Sequence, residues 1–280
     1  MNNEKLLELN SLGLIPGPSE SEANFFERAA YCLQIKSRFE EALPAGQFSE
    51  EALKKVKKLF DISPGWTPFF FSSYQLMPWH GGAAWIFQEN EDLPTSAFFQ
   101  LKPAFKTNSS YLKVYSRDEL IAHEMAHVGR MMFDEPQFEE LLAYRTSSSF
   151  FRRFFGPIVQ SSKESLLFVA SLFLAFVADF FFLAFDETLY FEAAFKAFPF
   201  ILLALALFRL LKKQYIFSKA FNSLKNMVQN EEKAEAILYR LQDKEIELFS
   251  RLSESEIKAY IKKNQENDLR FRLIYLKYCL

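Results

Sequence analysis

The chain has 280 residues, with 33 Lys plus Arg against 35 Asp plus Glu; that is enough for a sizeable core, and it offers no basic excess of the kind nucleic-acid binding draws on. Its two cysteines, Cys32 and Cys279, stand near opposite ends, which excludes a disulfide framework or a zinc ribbon and leaves two unpaired small hydrophobes in a reducing compartment. The outlier is phenylalanine, at 34 residues against 11 Tyr and 3 Trp and crowded between Phe150 and Phe208, which points to a lipid-facing or deeply buried segment.

Residues 1–64 read as N-terminal helices. The polar, partly acidic start lacks the basic flank and apolar core of a signal peptide, so export by that route is not expected. Apolar residues recur at helical spacing over Ser21–Leu43 and Ser49–Phe60, each opened by a serine suited to capping. Residues 65–160 begin differently. Thr67–Ser73, Ala83–Gln88, Ser96–Phe105 and Tyr111–Tyr115 are short, aromatic or β-branched, and separated by Gly, Pro and Asn, as in a small sheet of three or four strands. Pro103 cannot donate to a ladder, so its strand ends there or lies at an edge. Ser116 and Glu119 have the spacing of a capping box, which opens a helix running to about Phe133. Asp134-Glu135-Pro136 stops it, and a second helix is expected from near Gln137 through Phe151.

Residues 161–213 carry two apolar runs. Ser165–Phe185 spans 21 residues with one charge, Asp179, and about 20 apolar residues suffice to cross a bilayer core. Ala193–Leu211 is the second run, with Glu192 and Lys196 spaced to pair near the interface. The rival reading is a helical hairpin buried in a soluble core or against a partner. Asp179 is read as a residue of hairpin packing or water access rather than a proton path. Arg152, Arg153 and Lys163 precede the hairpin and Arg209, Lys212 and Lys213 follow it, while its connection is acidic. By the positive-inside rule both long flanks, and so both termini, face the cytoplasm. Residues 214–280 are polar and helical, with a stripe of Phe217, Phe221, Leu224 and Val228. Two similar segments, Arg240–Phe249 and Arg251–Tyr260, read as short helices without visible chemistry.

The chemistry is concentrated in His123-Glu124-Met125-Ala126-His127, which uses two of only three histidines. At 3.6 residues per turn His123 and His127 share one helical face, so their imidazoles can converge on one Zn²⁺ at about 2.0–2.1 Å each. Glu124 projects beside them, toward a metal-bound water rather than the metal. Leu120, Ile121, Met125 and Ala126 form the buried back of the helix.

This LIAHEMAH segment resembles the zincin metallopeptidases, whose signature is HExxH on a buried helix. The resemblance covers the motif and, more loosely, the sheet-then-helix order from Thr67 to Phe133. It implies an α+β, zincin-like catalytic core over residues 65–160 with a small mixed sheet, and a third protein ligand to the zinc. No histidine follows, so the metzincin type does not fit. A glutamate on the next helix, as in the gluzincins, is implied instead: Glu140, which has a small Ala143 on its face, with Glu139 as the alternative. The short connection to that helix departs from many gluzincins. The resemblance further implies Glu124 as general base, a transition-state donor among Tyr144, His80 and Arg130, and an extended substrate pairing along Ser96–Leu101. Arg130 and Arg145 are also spaced to hold a carboxylate. The expectation is a membrane-anchored zinc peptidase acting on protein or peptide substrates. The alternative is a non-catalytic membrane scaffold with a structural or vestigial zinc site.

Overall fold

In the computed structural model, which describes every residue except 1, 2, 40–42, 45–48, 79, 113, 114, 160, 186–188 and 280, the serine caps fall where the sequence places them. A first helix, α1 (Asn3–Ser11), was not marked by periodicity. Ser21 then accepts from the Asn24 amide at 3.2 Å to start α2 (Glu22–Gln34), and Ser49 accepts from the Ala52 amide at 3.0 Å to start α3 (Glu50–Phe60). α2 is shorter than its apolar spacing implies. It tightens into a 3-10 turn over Ile35–Arg38, where the Ser37 hydroxyl bonds back to the Gln34 carbonyl and competes with the helical ladder.

Strands β1 (Leu43–Pro44), β2 (Pro68–Phe71), β3 (Gly82–Phe87) and β4 (Ser96–Leu101) make one sheet in the order β1-β2-β4-β3, antiparallel except between β2 and β4. β4 stops at Leu101 and Pro103 opens a 3-10 turn, as its missing amide requires. The run Tyr111–Tyr115 does not join this sheet. Leu112 adopts φ 52°, which reverses the chain, and the run folds on itself as β5 (Ser110–Tyr111) against β6 (Tyr115–Ser116).

The motif helix, α4 (Arg117–Gly129), packs across β3. Ser116 occupies its N-cap position, but the capping box does not close. Glu119 is drawn away by Arg152 at 3.0 Å and the Ser148 hydroxyl at 3.1 Å, charge-assisted partners that outcompete a neutral amide. α4 also ends at Gly129 rather than near Phe133. A Cβ on Gly129 would overlap the Tyr239 hydroxyl, and that hydroxyl donates to the Ala126 carbonyl at 2.5 Å. The carbonyl that a further helical turn would have used is thereby taken, and the Arg130 amide turns back to His127. The expected single helix after the turn is two: α5 (Glu139–Tyr144) and α6 (Phe150–Phe155). Between them the Thr146 hydroxyl bonds the Ala143 carbonyl at 2.7 Å, and Ser149 caps α6.

Two long helices follow, α7 (Ser162–Phe185) and α8 (Leu189–Val228). Both are long and apolar enough to cross a membrane, each holding an 18-residue window, of mean hydropathy 2.3 within Lys163–Phe182 and 2.0 within Ala193–Val228, of which only 11% is buried. Phe173, Phe180 and Phe200 are 64% to 71% exposed, the reverse of a hairpin buried in this chain's own core. Asp179 pairs with Lys196 at 3.0 Å, which ties the two helices together; the pair expected between Glu192 and Lys196 rests on a side chain outside the described ones. Pro199 sits inside α8, which is tolerated where neighbouring groups satisfy the freed carbonyl.

α8 does not stop at the end of its apolar run. At about 1.5 Å per residue it extends roughly 60 Å, and its second half buries Phe217, Ala220 and Leu224, with Phe221 and Val228 packed alongside. Helices α9 (Glu231–Tyr239), α10 (Asp243–Phe249) and α11 (Glu254–Asn264) pack around it, and α12 (Leu269–Ile274) packs against α11. The C-terminal helices share one buried cluster with Leu6, Phe25, Phe60, Leu101, Met125 and Phe138. Cys32 and Cys279 are unpaired.

Candidate metal centre

His123 and His127 project from the same face of α4 toward α5, as their spacing requires. Their Nε2 atoms lie 3.2 Å apart, and the Glu140 carboxylate lies 3.6 Å from each. The ligand atoms of His123, His127 and Glu140 all fall within 4.8 Å of one another. Ligands held about 2.0–2.1 Å from a tetrahedral ion stand roughly 3.3 Å apart, so the spacing suits a single small cation.

The outer nitrogens fix which imidazole atoms could serve a metal. His127 Nδ1 meets the Glu139 carboxylate at 3.0 Å, which holds a proton on Nδ1 and makes Nε2 the nitrogen that would give up its proton to a cation. His123 is held by a hydrogen bond to the Ala143 backbone. Two imidazole Nε2 atoms and a carboxylate oxygen therefore face one point. The short side chain of Ala143, 1% exposed, permits that approach of α5 to α4. Glu139 and Glu140 are thus separated by geometry: Glu140 turns to both Nε2 atoms, while Glu139 stands behind His127.

Glu139 is fixed in turn by Arg130, whose Nε donates to it at 2.6 Å. The Arg130 guanidinium is fully buried, donates to the Tyr239 and Leu241 carbonyls at 2.5 and 3.0 Å, and lies 4.3 Å over the Phe133 ring. Arg130 therefore backs the site and does not line the cleft, where a transition-state donor would have to stand. Arg145, the other arginine spaced to hold a ligand carboxylate, binds Glu235 instead, at 2.8 and 2.9 Å. Glu135, in the turn that follows α4, accepts from Gln242 and the Asp243 amide, while Asp243 accepts from the Gln137 and Phe138 amides. These reciprocal caps lock the starts of α5 and α10 together. The C-terminal helices, in which no chemistry was legible, thus supply the outer support of the centre.

The electrostatics agree with a site shaped for positive charge. Burial alone would push His127 down, yet the Glu139 hydrogen bond and the charges of Glu140, Glu139 and Glu124 raise it to about 9. His123 is held well below its ordinary value, by burial first and then by His127. Glu139 is buried, which opposes its charge, but Arg130 and His127 keep it below the usual carboxylate range. Burial lifts Glu140. It lifts Glu124 to about 7, helped by Glu140 and opposed by His127 and a hydrogen bond from the Ala84 amide. A carboxyl near neutrality is suited to take and return a proton.

Glu124, His123 and Glu140 open onto a cleft of about 580 Å³. His80 and Tyr144 line it as well, and the Tyr144 ring lies 4.7 Å from that of His123. Gly156 lets the end of α6 lie against the Tyr144 ring, since a Cβ there would overlap it. Thr146, Ser147, Phe151 and Phe155 complete the far wall, none of them marked by sequence pattern. β4 is flanked by β2 and β3, so Ser96–Leu101 has no free edge for a substrate. The outer strand is β3, whose Ala84 amide reaches Glu124. Comparison with protein-family models, with curated proteins and with solved structures finds no match.

The role of Glu139 has a measurable consequence. Glu139→Gln keeps an acceptor for His127 but removes the charge between it and Arg130. Metal affinity, measured by competition with a chromogenic chelator, is expected to fall about 10–100-fold. An unchanged affinity would mean that Glu139 does not orient His127.

Proposed function

We propose that the chain is a membrane-anchored zinc-dependent peptidase of zincin-like type, with His123, His127 and Glu140 as ligands and Glu124 as general base. The observation that carries this reading is the convergence of two imidazole Nε2 atoms and one carboxylate at 3.2–3.6 Å, beside a buried glutamate in an open cleft. Histidine and carboxylate donors in a set of three suit zinc and leave a fourth position for water. Zinc bound there supplies a water acidified toward a pKa of about 7 and polarises the carbonyl under attack.

The chain's own residues do the rest. Glu124 accepts the proton as the water adds to the peptide carbon, then delivers it to the departing amine. The free edge of β3 offers backbone partners to an extended substrate, which sets the scissile bond beside Glu124. Tyr144 and His80 line the same cleft, which supports either as a donor to the developing oxyanion. Lys163, Lys212 and Lys213 flank the two apolar runs, which supports a cytoplasmic catalytic domain and termini; Arg152 and Arg209 are engaged by Glu119 and Glu164. A scaffold with a structural zinc would share the ligands, but structural sites are closed by four protein ligands, and this one opens to a cleft.

Chelation tests the proposal. Purified chain in detergent is expected to hydrolyse unfolded protein, to lose that activity on dialysis against a chelator, and to regain it with zinc but not magnesium. Hydrolysis indifferent to chelation would refute the metal-dependent reading.

A further inference from the structure

The cleft has two unlike halves. One holds the histidines and carboxylates; the other is apolar, walled by Phe151, Phe155 and Ile158. That apolar wall belongs to α6 and its exit, the last structure before the first long helix. Phe150 and Phe151 are 71% and 66% exposed, and Arg152 and Arg153 follow them, a composition suited to a membrane–water interface.

Two contacts pin this segment to the middle of α8, and one of them continues through Arg209 to the first turn of α7. The Ile158 carbonyl accepts from Arg209 at 3.0 Å, and Arg209 also grips Glu164 in the first turn of α7 at 2.5 and 2.8 Å. The Phe154 carbonyl accepts from Gln214 at 3.3 Å. Arg209 is the first charge after the uncharged stretch 197–208 of α8, so Ile158 stands at the height where that stretch ends. A second cavity of about 420 Å³ lies between the two helices, lined by Leu167, Phe168, Leu202 and Leu205 and sharing Ile158 with the cleft. Ile158 therefore stands between the cavity of the two helices and the cleft that holds the glutamate and histidines.

We infer that the cleft is built for the juxtamembrane stretch of a membrane-spanning protein, whose apolar flank lies on Phe151, Phe155 and Ile158 while the adjoining polar stretch extends along β3. This rests on the peptidase reading and names its substrate class. A soluble peptide gains nothing from an apolar wall at the bilayer surface, whereas a membrane-spanning one is delivered to it at high effective concentration.

The test places a photoreactive benzophenone side chain at position 155, and in a second variant at position 151, of the full-length Glu124→Gln chain in lipid vesicles. Two probes are compared: a synthetic single-span peptide with a polar tail, and the same tail alone. Crosslinking to the spanning probe is expected to exceed that to the tail roughly tenfold or more, at one position at least. Equal yields, or none to the spanning probe at either position, would overturn the inference. Cleavage of the same probes by the unsubstituted chain is read separately. Crosslinking without zinc-dependent cleavage would sustain the docking surface and sink the peptidase reading. Cleavage of both probes at equal rates would do the opposite.

Discussion

Glu124→Gln is expected to lower kcat/KM by about 10²–10⁴-fold while zinc stays bound, the range for removing a general base from a hydrolytic site. The amide keeps the shape and an acceptor for the Ala84 amide, but it cannot take a proton from water. The ligands His123, His127 and Glu140 are untouched, so metal content and thermal stability should match the unsubstituted chain. The burial that lifts Glu124 to about 7 also makes a neutral side chain well tolerated there. Activity measured with metal content separates the outcomes: loss of both would show a damaged site, and full activity with zinc present would favour the scaffold reading.

Arg130→Met should be the most destabilising single change at the centre. Its guanidinium is 1% exposed and satisfies Glu139, the Tyr239 carbonyl and the Leu241 carbonyl together. Removing it leaves a half-buried carboxylate without its main counter-charge, a change that costs about 3–5 kcal/mol when one partner of a buried pair is lost. In a chain of this size that lowers the melting temperature by roughly 6–20 °C. Replacing both partners, Arg130→Met with Glu139→Leu, should recover part of the loss, because no unpaired charge remains. A single variant as stable as the parent would mean that the Arg130–Glu139 pair does not hold α4, α5 and the C-terminal helices together.

The parts of this architecture that could be read in the sequence are those decided within a few residues. The pairing of His123 with His127 follows from helical pitch, and the two apolar runs declare their length. Ser21 and Ser49 cap the helices they precede. What was not legible depends on partners far along the chain. The capping box at Ser116 fails because Arg152 competes for Glu119, and α4 ends early because Tyr239 takes the Ala126 carbonyl. Arg130 was spaced to hold a carboxylate and does hold Glu139, but its own support comes from carbonyls more than a hundred positions away. Glu139 and Glu140 are neighbours, and spacing alone could not say which faces the imidazoles; the structure gives each a different side of His127. Strand order is likewise a non-local outcome, so Ser96–Leu101 read as the strand for a substrate until β2 and β3 were found on either side of it.

The central claim is that His123, His127 and Glu140 hold one zinc. The most direct measurement is metal content by mass spectrometry of chain purified in detergent without chelator, alongside His123→Ala and Glu140→Ala. The account predicts about one zinc per chain, lost in His123→Ala and strongly reduced in Glu140→Ala. No zinc in the unsubstituted chain, or zinc retained in full after His123→Ala, would contradict it.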